Sequence, residues 1–416
     1  MSRIAFLWSF VFSRMPYPIR LLMNLVVLPF IIVRMLFRIV EHTFTENPVN
    51  HLQPAEIRAF LKYESDTTDP SKTELRAFQD KVRALAEARD WPALGALIER
   101  CDKRRESTPD GTRLAPQAIE VIWGDLAKSG KVLEDCGPVS AVALPDDAVA
   151  PYLDAADAHP DSLGLSALAA GLSMRMGWSR RGGDYAAMTR ESEFRAMAEW
   201  FDHARTYLNA PGAAESPLFA GLTYEFVAGA GADLPDLQTA FDRWSRLDPG
   251  NHEALALHGW YLLPRWYGDY AVMDDTARKL FAATHGERGS ADYTALYWTA
   301  AEEDEGAVAT LDMGLYRDGL YDMIRASKDR DTTVNRICGH LLKVGSRFGM
   351  LEKGHPQVAA RRAEFDALFD EIVRAELKLV LPYRWGNSNK MALYALAHTY
   401  SEEILAERTV TLGQAA

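Results

Sequence analysis

Phe241-Asp242-Arg243-Trp244-Ser245-Arg246-Leu247-Asp248-Pro249-Gly250-Asn251-His252-Glu253-Ala254-Leu255-Ala256 is the stretch whose punctuation decides the fold. Pro249 has no amide hydrogen with which to continue a helix, so the segment ending at Leu247 must stop there. Asn251 has a side-chain oxygen that can accept from the free amides opening the next segment. A helix, a tight break and a second helix are therefore expected. Ala158-His159-Pro160-Asp161-Ser162 repeats the arrangement upstream.

A second recurring unit lies between these breaks. Asp90-Trp91-Pro92-Ala93-Leu94, Asp184-Tyr185-Ala186-Ala187-Met188 and Asp269-Tyr270-Ala271-Val272-Met273 share an Asp, an aromatic, two mostly small residues and a large apolar one. Gly183 and Gly268 immediately precede two of the copies. The unit suits the turn of a helical hairpin: glycine in a left-handed C-terminal cap, Asp capping the next helix, and the aromatic packing across. From Thr73 onward apolar residues recur at three- and four-residue spacing, with no period-two strand run. The class expected is all-α. Leu247-Asp248-Pro249-Gly250-Asn251 resembles the junction between successive TPR units, which implies a TPR-like antiparallel helical-hairpin array, an α-solenoid. Spacing between the two kinds of break differs by about one helical turn from copy to copy, so the repeats are degenerate.

Leu263-Pro264-Arg265-Trp266-Tyr267-Gly268 is echoed by Leu381-Pro382-Tyr383-Arg384-Trp385-Gly386. Two readings fit: Arg265, Trp266, Arg384 and Trp385 as a partner-binding surface using stacking and cation–π contacts, or kinked helix ends filled by a Trp. Ala88-Arg89-Asp90-Trp91-Pro92-Ala93-Leu94, Trp178-Ser179-Arg180-Arg181-Gly182, Asp202-His203-Ala204-Arg205 and Leu263-Pro264-Arg265-Trp266-Tyr267-Gly268 together resemble the ordered landmarks of the bacterial domain of unknown function family 4034. The resemblance covers roughly residues 74–285 and departs at Tyr267, where that family has a glycine. It implies a helical, TPR-like fold and brings no catalytic residues.

The N-terminus is unlike the body. Ile4 to Phe12 and Leu21 to Val40 are apolar runs separated by Arg14 and Pro16-Tyr17-Pro18. At about 100° per residue Arg20, Asn24, Arg34 and Arg38 share one face, as an interfacial helix with arginines at lipid phosphates requires. Arg20, Arg34 and Arg38 are the expected membrane contacts, and the anchor is read as monotopic or re-entrant in preference to a span. A secretory leader fits less well, because arginines follow the apolar run and no small-residue cleavage site precedes His42.

Residues 1–40 hold five arginines and no acid, so the remainder carries −17 of a chain whose net charge is −12. That field repels phosphate backbones, and Lys103 to Arg105 and Ser179 to Arg181 are too short to override it, so no nucleic-acid partner is expected. Cys101, Cys136 and Cys338 form no C-x-x-C, and no disulfide framework or zinc site is expected. Neither a phosphate-binding loop nor a nucleophile elbow occurs; Gly229-Ala230-Gly231-Ala232-Asp233 lacks a third glycine. His252 and His258 have the wrong spacing for zinc, while Glu199/His203 and His398/Glu402 read as surface pairs. Glu302 to Glu305 lacks the spaced ligands of a calcium loop. No cofactor, metal or catalytic residue is therefore assigned.

The organisation expected is a membrane-associating helical segment (1–43), a linker with a short helix around Ala55 to Tyr63 (44–73), a TPR-like region (74–285), a C-terminal helical continuation (286–408) and a tail (409–416). The function expected is a membrane-associated scaffold or adaptor binding a protein or peptide, on the cytoplasmic face of a bacterial inner membrane. An immunity-type, toxin-neutralising protein and a hydrolase with dispersed carboxylates are the alternatives.

Overall fold

The structure, a computed structural model, describes residues 47–129, 131–132, 142–182, 189–345, 356–386 and 389–413. The expected lipid contacts Arg20, Arg34 and Arg38, the unit Asp184 to Met188 and Cys136 lie outside the described residues.

The chain is all-α. In order come α1 (Pro54–Phe60), α2 (Pro70–Glu87), α3 (Trp91–Arg104), α4 (Leu114–Ser129), α5 (Ala150–Ala158), α6 (Leu163–Arg181), α7 (Glu191–Leu208), α8 (Pro217–Gly229) and α9 (Leu234–Leu247). They are followed by α10 (His252–Tyr261), α11 (Tyr270–Arg288), α12 (Ala291–Glu303), α13 (Glu305–Thr310), α14 (Met313–Ala326), α15 (Arg330–Val344), α16 (Pro356–Glu376), α17 (Asn389–Thr399) and α18 (Ser401–Leu405). Two-residue strands supply only local ties. β1 (Leu61–Lys62) pairs in parallel with β6 (Val410–Thr411), β2 (Glu64–Ser65) in parallel with β5 (Leu379–Val380), and β3 (Lys131–Val132) antiparallel with β4 (Val142–Ala143). None of the described helices is long and apolar enough to cross a membrane.

Two compact units emerge. In the smaller, described over residues 47–62 and 393–411, Val49, Ile57 and Leu61 are buried, as are Leu393, Leu396 and Ile404. Tyr394 Oη donates to the Leu52 carbonyl at 2.8 Å, and His398 Nε2 lies 2.6 Å from Asn50 Oδ1. The stretch read as a linker thus contributes to a core. The larger unit, described from Tyr63 to Ala392 with Leu412 and Gly413, packs α6 on α7, α8 on α9, α10 and α11 on α12, α12 on α14, and α15 on α16.

Helix starts are capped as the punctuation predicts. Asn251 Oδ1 accepts from Glu253 N and Ala254 N at 3.1 and 3.2 Å, after Gly250 turns the chain at φ 72°. Asp90 accepts from Ala93 N at 3.2 Å and Asp269 from Val272 N at 2.8 Å. Asp69, Asp233, Asp304, Asp312 and Asp329 cap other helices in the same way. Part of the body's acidity is therefore structural, since a carboxylate at a helix N-terminus also meets the positive end of the dipole. Asp269→Ala is expected to cost about 1 kcal/mol and Asp269→Asn much less, read from urea midpoints. Equal losses in both variants would remove the cap as the cause.

The hairpin glycine works differently from expectation. Gly268 is not in the left-handed region, whereas Arg89, before the first copy, is, at φ 52°. What Gly268 supplies is proximity: a Cβ there would stand 2.5 Å from the Leu262 carbonyl oxygen. The aromatics do cross to neighbouring elements. Trp91 meets Tyr152 edge-on at 5.7 Å, and Tyr270 Oη donates to Asp304 at 2.8 Å.

Candidate functional site

Helix α10 is apolar nearly all round, and its two faces have different destinations. Ala254, Leu255, His258 and Gly259 are buried. His252, Glu253, Ala256, Leu257 and Trp260 line open clefts. Two further helices present their own stripe to the same space: Ala295, Trp298, Thr299 and Glu302 from α12, and Arg336, Gly339, His340 and Lys343 from α15. Both sets follow the i, i+3, i+4, i+7 spacing of a single helix face. The clefts share walls. Glu253 borders three of them and Arg336 three, so they adjoin one another in a run of clefts, the groove, on the larger unit. The cleft under Trp260 and Trp298 encloses about 1110 Å³, and the more polar one beside it about 1630 Å³, open mouths included.

Ion pairs, most of them between residues distant in sequence, hold the walls. Asp248, 3% exposed, receives Arg113 through two bonds, Nη2–Oδ1 at 2.6 Å and Nε–Oδ2 at 3.0 Å, and Asn251 Nδ2 donates to the same carboxylate at 2.8 Å. The Asp of Leu247-Asp248-Pro249-Gly250-Asn251 therefore ties α10 to the loop before α4. Arg175 sits between Glu120 at 2.5 Å and Glu225 at 2.8 Å, Arg288 on Asp292 at 2.8 Å, and Arg384 on Asp110 at 2.6 Å. Asp110 is raised by burial but more strongly lowered by the Thr108 hydroxyl and Arg384, and ends below the usual carboxylate range.

The residues proposed as a partner surface fall in two places. Arg265 lies with its Cζ 5.5 Å from the Trp260 ring, and Trp266, 38% exposed, packs on Trp260 at 4.6 Å between ring centres. This pair therefore adjoins the Trp260 end of the groove. Trp385 is 1% exposed and donates from Nε1 to Asn335 Oδ1 at 2.7 Å, so it fills the core at the echoed Pro break. Its neighbour Arg384 lines the groove but is committed to Asp110. No hydrogen bond, ion pair or ring contact among the described residues joins the two pairs. Helix-face periodicity could have found Arg336, His340 and Trp298; nothing local could have shown that α12 and α15 aim those faces into one space.

Titration is perturbed along the groove. Desolvation, reinforced by Arg336, brings His252 down to about 4, and desolvation with Asp110 nearby raises Glu253. Opposite shifts on adjacent groups can serve acid–base chemistry. Burial and Glu106 push the Cys101 thiol, in the wall of one cleft, up to about 11, so it is a poor nucleophile. Glu302, His340 and Tyr316 are linked in sequence, with Glu302 Oε1 2.7 Å from Nδ1 and Tyr316 Oη 2.5 Å from Nε2, but Tyr316 is 0% exposed and beyond the reach of a substrate. Among the described residues no group of three or more His, Cys, Asp or Glu is placed to hold a metal ion. No family model, curated protein or solved structure matches the chain.

Proposed function

We propose that this protein is a helical-repeat adaptor of TPR-like architecture, akin to the domain of unknown function family 4034, that holds an extended peptide segment of a partner protein along the α10–α12–α15 groove. Residues 1–43 attach it to a lipid surface through Arg20, Arg34 and Arg38, with the body on the cytoplasmic side of the membrane. The observation that carries the binding half is the convergence of three single-face stripes, with Trp260 and Trp298 among them, on one open groove. Adjoining clefts of this extent suit a chain segment better than a small molecule, and half-buried Trp with Arg is the composition of binding hot spots.

The test is binding of the purified full-length protein to an immobilised array of octapeptides. A defined subset should be retained, and Trp260→Ala or Trp298→Ala should weaken it roughly tenfold or more. If no peptide in the array is retained above background, the peptide-groove reading is wrong. The lipid half is tested separately, by co-sedimentation with anionic vesicles. Replacing Arg20, Arg34 and Arg38 together by Glu should abolish co-sedimentation, and persistence would remove their assigned role.

A further inference from the structure

Six arginines line the groove's clefts, and five of them, Arg105, Arg113, Arg175, Arg288 and Arg384, have a carboxylate within 3.8 Å. Arg336 is the exception. Its Nε is shielded from solvent and has no hydrogen-bond partner, and its Nη1 makes one long 3.4 Å contact to the Asp110 carbonyl. Asp110 and Glu253 act on it only through space. Its Cζ lies 5.3 Å from the centre of the Trp298 ring, and the same indole stacks on His340, one turn along α15, at 3.9 Å. The guanidinium is thus held in place without being neutralised. Burial keeps it below the ordinary arginine range. A partly desolvated cation with no carboxylate in hydrogen-bond reach is a cost to the folded state, and an anion bonded directly to it relieves that cost.

We propose that Arg336 is the anchor for a carboxylate of the bound peptide, an Asp or Glu side chain, which it takes in the two-pronged guanidinium geometry with the Trp298 face as backing. The inference rests on the peptide-groove reading above. Asp110 and Glu253 already act on Arg336 through space, so the charge left for a ligand suits a single carboxylate better than a phosphate dianion. The apolar walls Ala256, Leu257 and Ala295 beside Trp260 and Trp298 call for an apolar residue next to the acid. Arg336 borders three of the four clefts, so the acid sits in the middle of the bound segment and not at an end.

The experiment uses the same octapeptide array and the full-length protein, with each retained peptide remade in three forms: with Glu, with Gln and with phosphoserine at each acidic position. Glu→Gln at one position should lower affinity for the wild-type protein about tenfold or more, the phosphoserine form should not restore it, and Arg336→Gln should abolish the difference between Glu and Gln forms. Arg336→Lys should keep part of it. The melting temperature of Arg336→Gln should be unchanged or higher, because an unpaired cation has been removed, which separates lost recognition from lost folding. Retained peptides that ignore Glu→Gln, or that prefer phosphoserine, would overturn the carboxylate anchor and leave the groove standing. An array with no retained peptide would overturn both.

Discussion

Gly259→Ala is expected to be among the most damaging single-methyl additions in the chain, costing about 3 kcal/mol, at the upper end of what overpacking usually costs. A Cβ at Gly259 would stand 1.8 Å from the Leu296 carbonyl oxygen and 2.9 Å from its carbon, and both are backbone atoms of α12. A side chain could rotate away; a helix backbone moves only by taking its neighbours along, and α12 also packs on α11 and α14. The separation of Trp260 from Trp298 depends on the same approach, so peptide affinity should fall with stability. Gly286→Ala is the matched comparison. It lies on the exposed side of α11 with nothing within 4 Å of its would-be Cβ, and should stabilise by up to about 1 kcal/mol. Urea denaturation of both variants checks the pair, and a Gly259→Ala loss below about 0.5 kcal/mol would mean that α10 and α12 are not in close approach.

What could be read from the sequence divides by range. The caps Asp90, Asn251 and Asp269 were legible because a cap is a bargain among residues two or three apart, and the all-α class follows from apolar spacing within single segments. Asp248 was read only as part of a helix stop; its ion pair with Arg113 joins residues 135 apart, which no local pattern reports. Trp385 looked like Trp266 because the Pro-containing phrases match, yet one indole finds Asn335 and is buried while the other stays 38% exposed. The phrase sets the break, and the surroundings decide what the Trp does there. Arg336 shares a helix face with His340 and Lys343, but that spacing is equally that of an ordinary solvated face, and only the packing of α12 against α15 gives it Trp298.

Acid should destabilise the protein well before its carboxylates titrate, and His258 is the residue through which this is best measured. It is 0% exposed and stacked on Phe241 at 3.8 Å, with Nδ1 2.9 Å from Tyr224 Oη and Nε2 3.3 Å from Gln238 Oε1. One tautomer satisfies both contacts, with Tyr224 donating to Nδ1 and Nε2–H donating to Gln238, so the neutral ring is fully matched and a second proton is not. Desolvation pulls its pKa to about 3 from an ordinary 6.5. The unfolded chain therefore takes up a proton near pH 6.5 that the folded chain refuses until about 3, and stability that is complete above 6.5 is lost as pH falls through that window. Because the unfolded imidazole is already half protonated at pH 6.5 and the slope then approaches about 1.4 kcal/mol per pH unit, His258 alone accounts for about 2 kcal/mol between pH 6.5 and 4.5. His340, lowered by burial despite Glu302, acts in the same direction. Asp110 and Glu302, both held below their ordinary values of 3.8 and 4.5, add their losses only further into acid. His258→Gln should be less stable than wild type at pH 7.5, yet lose less between pH 6.5 and 4.5, because Gln keeps polar partners for Tyr224 and Gln238 and takes up no proton. Urea midpoints at pH 7.5, 6.0 and 4.5 compare the two slopes, and parallel slopes would show that His258 is not the residue that refuses the proton.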